Sequence, residues 1–487
     1  MKKINFVSIA VFLIFSISIQ AQVKIVTETK VWTLEECVNY ALANNITIKQ
    51  TELDSIDASI EKRGAIGSFL PTLNGNLSHS WNIGLNQDIT TGLLKNQTTQ
   101  FTAAGIGVGF DIYKGMQNQN RLRRANLSIV ASKYQLVKMQ EDVALNVANA
   151  FLNVLFNKEL LKIQQEQKRV NEQLLAQTQE YVNAGSLPKG DLLDVKASIA
   201  TDTQQIILAE NALLISKLSL AQLLQLKEFY NFDVSDEVNI TDDNSVLLQT
   251  PLEIYNKAKE ERIELKIAKN NLEIAMKDLT IAKGAFQPTL QGFYNFNTRA
   301  SYSDIVTGFT PDTENPTSPI GFVEGTNQLV LQPNFNPVLG SYESISEQFD
   351  TNKGQSFGVQ LGIPVFNGFS VRNNVERTKV DIERRKIALE QEDLNLQRNV
   401  FTAYTDAKGA LNAYESALVT VDARQGAYEY ASEKYKVGLI NSFDFYQAQS
   451  LLTRAQSEVL RTKYDYIFKL KILEFYFGIP INQIMQK

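Results

Sequence analysis

One stretch limits what this chain can fold into. Residues 100–151 read QFTAAGIGVGFDIYKGMQNQNRLRRANLSIVASKYQLVKMQEDVALNVANAF, and the hydrophobic period changes partway along. Up to Tyr113 the period is two. Thr102, Ala104, Ile106, Val108, Phe110 and Ile112 share one face, while Ala103, Gly105, Gly107, Gly109 and Asp111 share the other. Such alternation builds a strand with one apolar side and one small or polar side. After Lys114 the pattern becomes a heptad. Leu122, Ile129, Leu136, Val143 and Ala150 recur every seventh residue, with Val130, Val137, Ala144 and Phe151 as a second stripe. No helix breaker appears until Gly185 and Pro188, so the helix should run for roughly 100 Å at about 1.5 Å per residue. Few soluble domains join an apolar-faced strand to a helix so much longer than the average.

The design recurs near the end of the chain. Phe357, Val359, Leu361, Ile363 and Val365 alternate with Ser356, Gly358, Gln360 and Gly362. Phe366-Asn367-Gly368 then leads into a helix with Val375, Ile382, Leu389, Leu396, Ala403, Ala410 and Ala417 at heptad spacing, ending near Gly438. We read residues 1–21 as a signal peptide, 22–248 as a first structural repeat and 249–487 as a second. The first holds one helix from Trp32 to Gly67 with a Thr33/Glu36 capping box, strands at about 70–86 and 100–113 joined by a polar loop at about 87–99, and long helices to about 228. Pro188 opens the return helix, and residues 229–249 are acidic and irregular. The second holds a helix from Pro251, strands at about 288–300 and 355–366, and long helices to about 477, the last capped by Ser442. Residues 301–353, with five of the eleven prolines and a single lysine, read as a polar loop.

Lys2 and Lys3 precede an apolar core at residues 6–19, and Ala21 suits cleavage. The single cysteine, Cys37, excludes a disulfide within the chain. Hydrophobic residues make up 44% and the net charge is −5, with no basic patch for nucleic acid. After the signal no unbroken run of about 18 apolar residues predicts a transmembrane helix. Barrel strands leave a weaker trace.

Four strands, each apolar on one side, match the length that crosses an outer membrane at a tilt. Two hairpins cannot close a barrel, which needs at least about eight strands, and open edges are not tolerated in lipid. Copies must therefore share a barrel, each adding four strands: two copies give eight, three twelve, four sixteen. The polar strand faces would line a wet lumen. The helices are too polar for the membrane and must extend from one side of it, which makes the whole a conduit.

The duplicated joints carry a resemblance. They are Leu70-Pro71-Thr72-Leu73 and Gln287-Pro288-Thr289-Leu290, the strand-to-helix joints at residues 110–115 and 363–368, and two helix turns. The turns run from Tyr181-Val182-Asn183-Ala184-Gly185 through Asp191-Leu192-Leu193-Asp194, and from Tyr435-Lys436-Val437-Gly438-Leu439 through Asp444-Phe445-Tyr446-Gln447-Ala448. In these residues nearly the whole mature chain resembles the TolC-type outer-membrane efflux proteins. The resemblance implies an α+β membrane protein with four transmembrane strands per chain. They would join a homotrimeric, 12-stranded β-barrel in outer-membrane lipid, continuous with a long α-helical periplasmic barrel. It implies an exit duct for drugs, metal ions or secreted proteins, driven by an inner-membrane pump through a periplasmic adaptor, the membrane fusion protein. The helix turns would form the periplasmic tip. Asp191, Asp194 and Asp444 are then gate and selectivity candidates, with Gln447 standing where a second acidic position of that turn is expected. Ala184, Gly185, Ser186, Val437, Gly438 and Leu439 are adaptor-docking candidates. An aspartate in a first helical turn also stabilises the helix by about 0.3–1 kcal/mol on its own.

The competing readings are a passive porin and a periplasmic coiled-coil scaffold. A porin has many strands per chain and no such helices, and a scaffold leaves four matched strands unexplained. No enzyme chemistry is expected, and no cofactor or metal. His79, the only histidine, falls on the lipid-facing side by the alternation, and no Cys/His cluster exists. Gly105, Gly107 and Gly109 keep the lumen face small rather than forming a phosphate loop, because no helix opens directly after them.

Overall fold

The computed structural model describes residues 30–87, 92–227, 232–236 and 244–479; the signal segment, 1–21, lies outside the described residues. The order begins β1 (Lys30–Trp32), α1 (Leu34–Asn44), α2 (Ile46–Gly67), β2 (Thr72–Gln87), β3 (Leu94–Lys114), α3 (Gln117–Asn183), α4 (Lys189–Leu224) and β4 (Phe232–Val234). It continues with α5 (Pro251–Glu261), α6 (Ile263–Gly284), β5 (Thr289–Ser301), β6 (Ile305–Pro311), β7 (Thr317–Phe322), β8 (Leu329–Pro333), β9 (Phe335–Gly340), α7 (Ile345–Thr351), β10 (Gly354–Gly362), α8 (Ser370–Lys436) and α9 (Ser442–Tyr476). The main helices run 11, 22, 67 and 36 residues before the middle of the chain. After it they run 11, 22, 67 and 35. The chain divides into two compact units, one of residues 1–54, 133–267 and 389–487, the other of 55–132 and 268–388.

The first unit is mainly helical, and α1, α3, α4, α9 and β4 supply its first core cluster. Phe151, Val147, Val154, Leu220 and Leu224 are fully buried with Cys37 and Val38. Ile254, Leu265, Val400, Ala407 and Leu473 form a second cluster. Each large side chain so buried contributes about 1.5–3 kcal/mol. The Thr33/Glu36 capping box is present, and so is a Thr250/Glu253 box at α5 that the sequence reading passed over. The single helix expected from Trp32 to Gly67 is instead a strand and two helices. Trp32 belongs to β1, which pairs in parallel with β4. Asn45 leaves the helical region, and its Oδ1 accepts from the Thr47 amide at 2.9 Å while its Nδ2 donates to the Leu223 carbonyl at 3.3 Å. A short amide side chain that bonds local backbone competes with helix continuation. Arg262 interrupts α5 and α6 in the same extended conformation.

In the α8 heptad Val375, Ile382, Leu396, Ala403, Ala410 and Ala417 are buried, and Leu389 is half-buried. In α3 the second stripe behaves differently: Ala144 and Phe151 are buried, but Val130 and Val137 are 37% and 40% exposed. Helix α4 is long and apolar enough to cross a membrane by length and composition alone. It is not an unbroken apolar run, because Glu210, Asn211 and Lys217 interrupt it. Ile207, Leu208, Leu214, Ile215 and Leu218 on this helix are exposed.

The second unit carries a four-stranded antiparallel sheet in the order β10-β5-β3-β2. Register places Gly105 between Asn76 and Asn297, and Gly107 between Asn74 and Asn295. A Cβ on Gly105 would lie 2.8 Å from Asn76 Oδ1 and 3.2 Å from Asn297 Oδ1, so the glycines leave room for amide side chains leaning across them. Three boundaries differ from expectation. β3 starts at Leu94, which shortens the polar loop expected at 87–99. β10 stops at Gly362, leaving Ile363 and Val365 outside it, because Pro364 has no N–H for the ladder. Residues 301–353 are not a loop: β6 pairs with β9, β7 with β8, and α7 follows. Both strand-to-helix joints turn through two consecutive left-handed residues, Gly115-Met116 (φ 57° and 58°) and Gly368-Phe369 (φ 62° and 64°).

Candidate functional site

The two helix turns are closed by the same backbone device. After α3, the Ser186 amide donates to the Tyr181 carbonyl at 2.9 Å and Gly185 donates to Val182 at 3.1 Å. After α8, Leu439 donates to Lys434 at 2.8 Å and Gly438 donates to Tyr435 at 3.0 Å. Gly185 and Gly438 sit at φ 71° and 74°, the left-handed conformation this helix end requires. Pro188 is the N-cap of α4 rather than its first residue.

Ser442 does not cap α9. Asn441 does, its Oδ1 accepting from the Asp444 amide at 2.8 Å. Ser442 falls one residue too late, and its hydroxyl is directed across to the other turn. It donates to Asp191 Oδ1 at 2.8 Å and lies 3.1 Å from Asp194 Oδ2. One hydroxyl has one proton, so the two carboxylates share it. Ser442 is 2% exposed. The structure thus brings Asp191 and Asp194 together through a residue the sequence reading assigned elsewhere. Asp444 and Gln447 are exposed and stand apart from that link. Ala184, Gly185, Ser186 and Gly438 are exposed, as are Val437 and Leu439 at 70% and 72%.

Beneath the turns lies an aromatic layer. Phe445 is buried and stacks on Tyr435 at 5.0 Å between centroids, with Tyr446 and Tyr428 at its edges. Burial pushes the Tyr435 phenol up, and the Asp191 and Asp194 charges add to the rise. Burial also raises Tyr446, well above the ordinary phenol range. Deeper still, Asn171 Nδ2 donates to Asp202 Oδ2 at 2.6 Å, joining α3 to α4. Burial raises the Asp202 carboxyl, and the Asn171 hydrogen bond offsets part of that.

The sequence reading missed Ser442, Asn171, Asp202 and the aromatic layer. For the buried pair a signal was present. The α3 heptad continues past Ala150 through Asn157, Gln164, Asn171 and Thr178, and α4 repeats Val195, Asp202, Ala209 and Ser216. Polar residues at core positions of a coiled coil fix register at some cost in stability.

Solved structures that share this fold include outer-membrane channels. The outer membrane efflux protein family matches residues 37–225 and 254–478, and the chain belongs to that family. Outer membrane protein TolC of Escherichia coli (strain K12) is 22% identical over 442 residues, spanning 89% of this chain and 80% of that protein. The crystal structure of CusC aligns with a TM-score of 0.73 at 17% identity, covering 92% of both chains. The Campylobacter jejuni CmeC outer membrane channel aligns at 0.71 and 17%, covering 93% of this chain and 86% of that one. The protein is an outer-membrane channel of efflux or secretion, and its family is one of transport proteins.

Proposed function

We propose that three copies form one 12-stranded barrel, each contributing β2, β3, β5 and β10, with the helical unit standing in the periplasm. One observation carries this reading. The four-stranded sheet ends in two open edges, β2 and β10, and lipid does not tolerate an open edge. The exposed apolar faces of α4 and of the Val130/Val137 stripe support it, as surfaces for neighbouring copies. Residues 22–248 and 249–487 are the two halves of an internal duplication. The matched helix lengths, the paired capping boxes and the twin left-handed joints support that division.

Such a trimer would be the exit duct of a tripartite assembly, receiving cargo from an inner-membrane pump through a periplasmic adaptor. The helix turns are its inner tip. Ala184, Gly185, Ser186, Val437, Gly438 and Leu439 are the adaptor-docking residues, and the exposed Leu193 and Phe443 extend that surface. Asp191, Asp194 and Asp444, with Gln447 beside them, set the gate and its charge preference. The shared proton of Ser442 holds the α9 turn against the α4 turn, a hydrogen bond to charged groups worth about 1.5–3 kcal/mol.

The test is single-channel conductance of the purified mature protein in planar bilayers, with cross-linking to count subunits. The natural protein should be a trimer with a low-conductance, cation-favouring state. Ser442→Ala should raise the open fraction without changing the ion preference. The triple change Asp191→Asn, Asp194→Asn, Asp444→Asn should raise conductance and weaken cation preference together. A trimer that conducts freely and ignores these changes would move the gate elsewhere. A monomer without conductance would remove the shared barrel.

A further inference from the structure

The segment between β5 and β10 has features that the duct reading does not use. Its four strands hold 7, 6, 5 and 6 residues, and none of them is charged. The charges lie in the turns, at Asp312, Glu314 and Glu324. Neighbouring residues on a strand face opposite sides. Val330 and Leu331 are 39% and 52% exposed, and Val338 and Leu339 are 41% and 53% exposed, so both sides of the ribbon are apolar and open. Phe309 and Phe322 add rings exposed at 68% and 69%.

The edges are closed in another way. Each strand carries one proline: Pro311 in β6, Pro319 in β7, Pro333 in β8 and Pro337 in β9. All four have cross-strand partners within the ribbon, yet none has an N–H to offer a third strand. Proline on an edge strand blocks further pairing. A two-stranded ribbon is marginally stable alone in water. It needs a cover on its faces rather than an added strand.

We propose that the ribbon of residues 305–340 docks by its faces against the same ribbon of neighbouring copies, narrowing the outer mouth of the channel. The occupant follows from where the ribbon is rooted. Only three residues separate β5 from β6, and α7 ties the base back to the sheet. Gln348 exchanges two hydrogen bonds with Ser301, and Thr298 donates to the Phe349 carbonyl. The returning chain enters β10, the sheet edge that meets the next copy in a shared barrel. Ribbons of adjacent copies therefore rise side by side, with uncharged apolar faces turned to one another. This inference rests on the shared-barrel reading.

The experiment places single cysteines at the ribbon tip, Ile320→Cys and Phe322→Cys, in the purified full assembly; the natural Cys37 is fully buried. Under copper–phenanthroline oxidation both should yield covalent dimers between copies, while Leu77→Cys on the sheet face should not. Native mass spectrometry of the same samples counts the copies. The double change Ile320→Asp, Phe322→Asp should raise single-channel conductance by at least about twofold, because like charges separate the ribbons and widen the constriction. Three copies with no tip cross-link and unchanged conductance would overturn the ribbon proposal and leave the duct intact. Cross-linking with unchanged conductance would support the docking and overturn the narrowing. A single copy by mass would overturn both together.

Discussion

Replacing Arg262 with methionine should cost about 3–5 kcal/mol of stability in the helical unit, the penalty for leaving buried charge unpaired. Arg262 sits in the break between α5 and α6 with its side chain 6% exposed. Its guanidinium pairs with Glu264 at 2.7 Å and Glu141 at 3.2 Å, and it lies 3.8 Å from the centre of the Phe475 ring. Methionine fills similar volume and keeps the ring contact, so the loss isolates the charge. The expected readout is a lower denaturant midpoint followed by helical circular dichroism. The pH dependence has a definite sign. Burial raises the Glu141 carboxyl above the usual glutamate value, with Arg262 pulling it back. Without Arg262 that rise should grow. A carboxyl raised in the folded state contributes stability below its unfolded value, and that stability is lost as pH climbs through the folded one. The variant should thus recover part of its midpoint as pH falls from neutral toward the carboxylate range. A variant as stable as the parent at neutral pH would show that the pair is dispensable.

Gly115→Ala should disrupt the joint between β3 and α3. A Cβ there would lie 2.0 Å from the Gly284 carbonyl oxygen, and Gly115 already holds φ 57°. Both obstacles are backbone, which cannot rotate away. Overpacking costs about 1–3 kcal/mol, and a left-handed residue with a side chain costs about 1–2 kcal/mol more. Gly185→Ala is the internal control, since it shares the positive φ but meets nothing within 4 Å. The yield of assembled, heat-modifiable protein in outer membranes should fall far more for Gly115→Ala. Equal yields would mean that the close approach to Gly284 is relaxed at little cost.

Long-range periodicity made most of the fold legible. The α3 and α8 heptads, the alternation in β2, β3 and β5, and the glycines that end both long helices all read directly from residue order. What escaped were features set by a partner distant in sequence. Nothing around Ser442 says that its hydroxyl reaches Asp191, which lies 251 residues away. Asn45 and Arg262 look like ordinary helix residues until their own burial and their distant partners are seen. The ribbon of β6–β9 read as a loop because its prolines were weighed as breakers. In an isolated pair of strands they can occupy outward positions without disturbing the ladder.

The rows in which asparagines lean over glycines have a consequence for passage. On the polar side of the sheet, Asn74 and Asn295 flank Gly107, and Asn76 and Asn297 flank Gly105. A molecule travelling along that surface meets amide groups that donate and accept equally, with no fixed charge in those rows to attract or repel it. Hydration shells can be handed from one amide to the next, so anionic, cationic and neutral cargo would be treated nearly alike there. On the shared-lumen reading proposed above, discrimination falls to charged groups outside these rows, Asp111 and Arg299 further along the same face and the carboxylates of the helix turns.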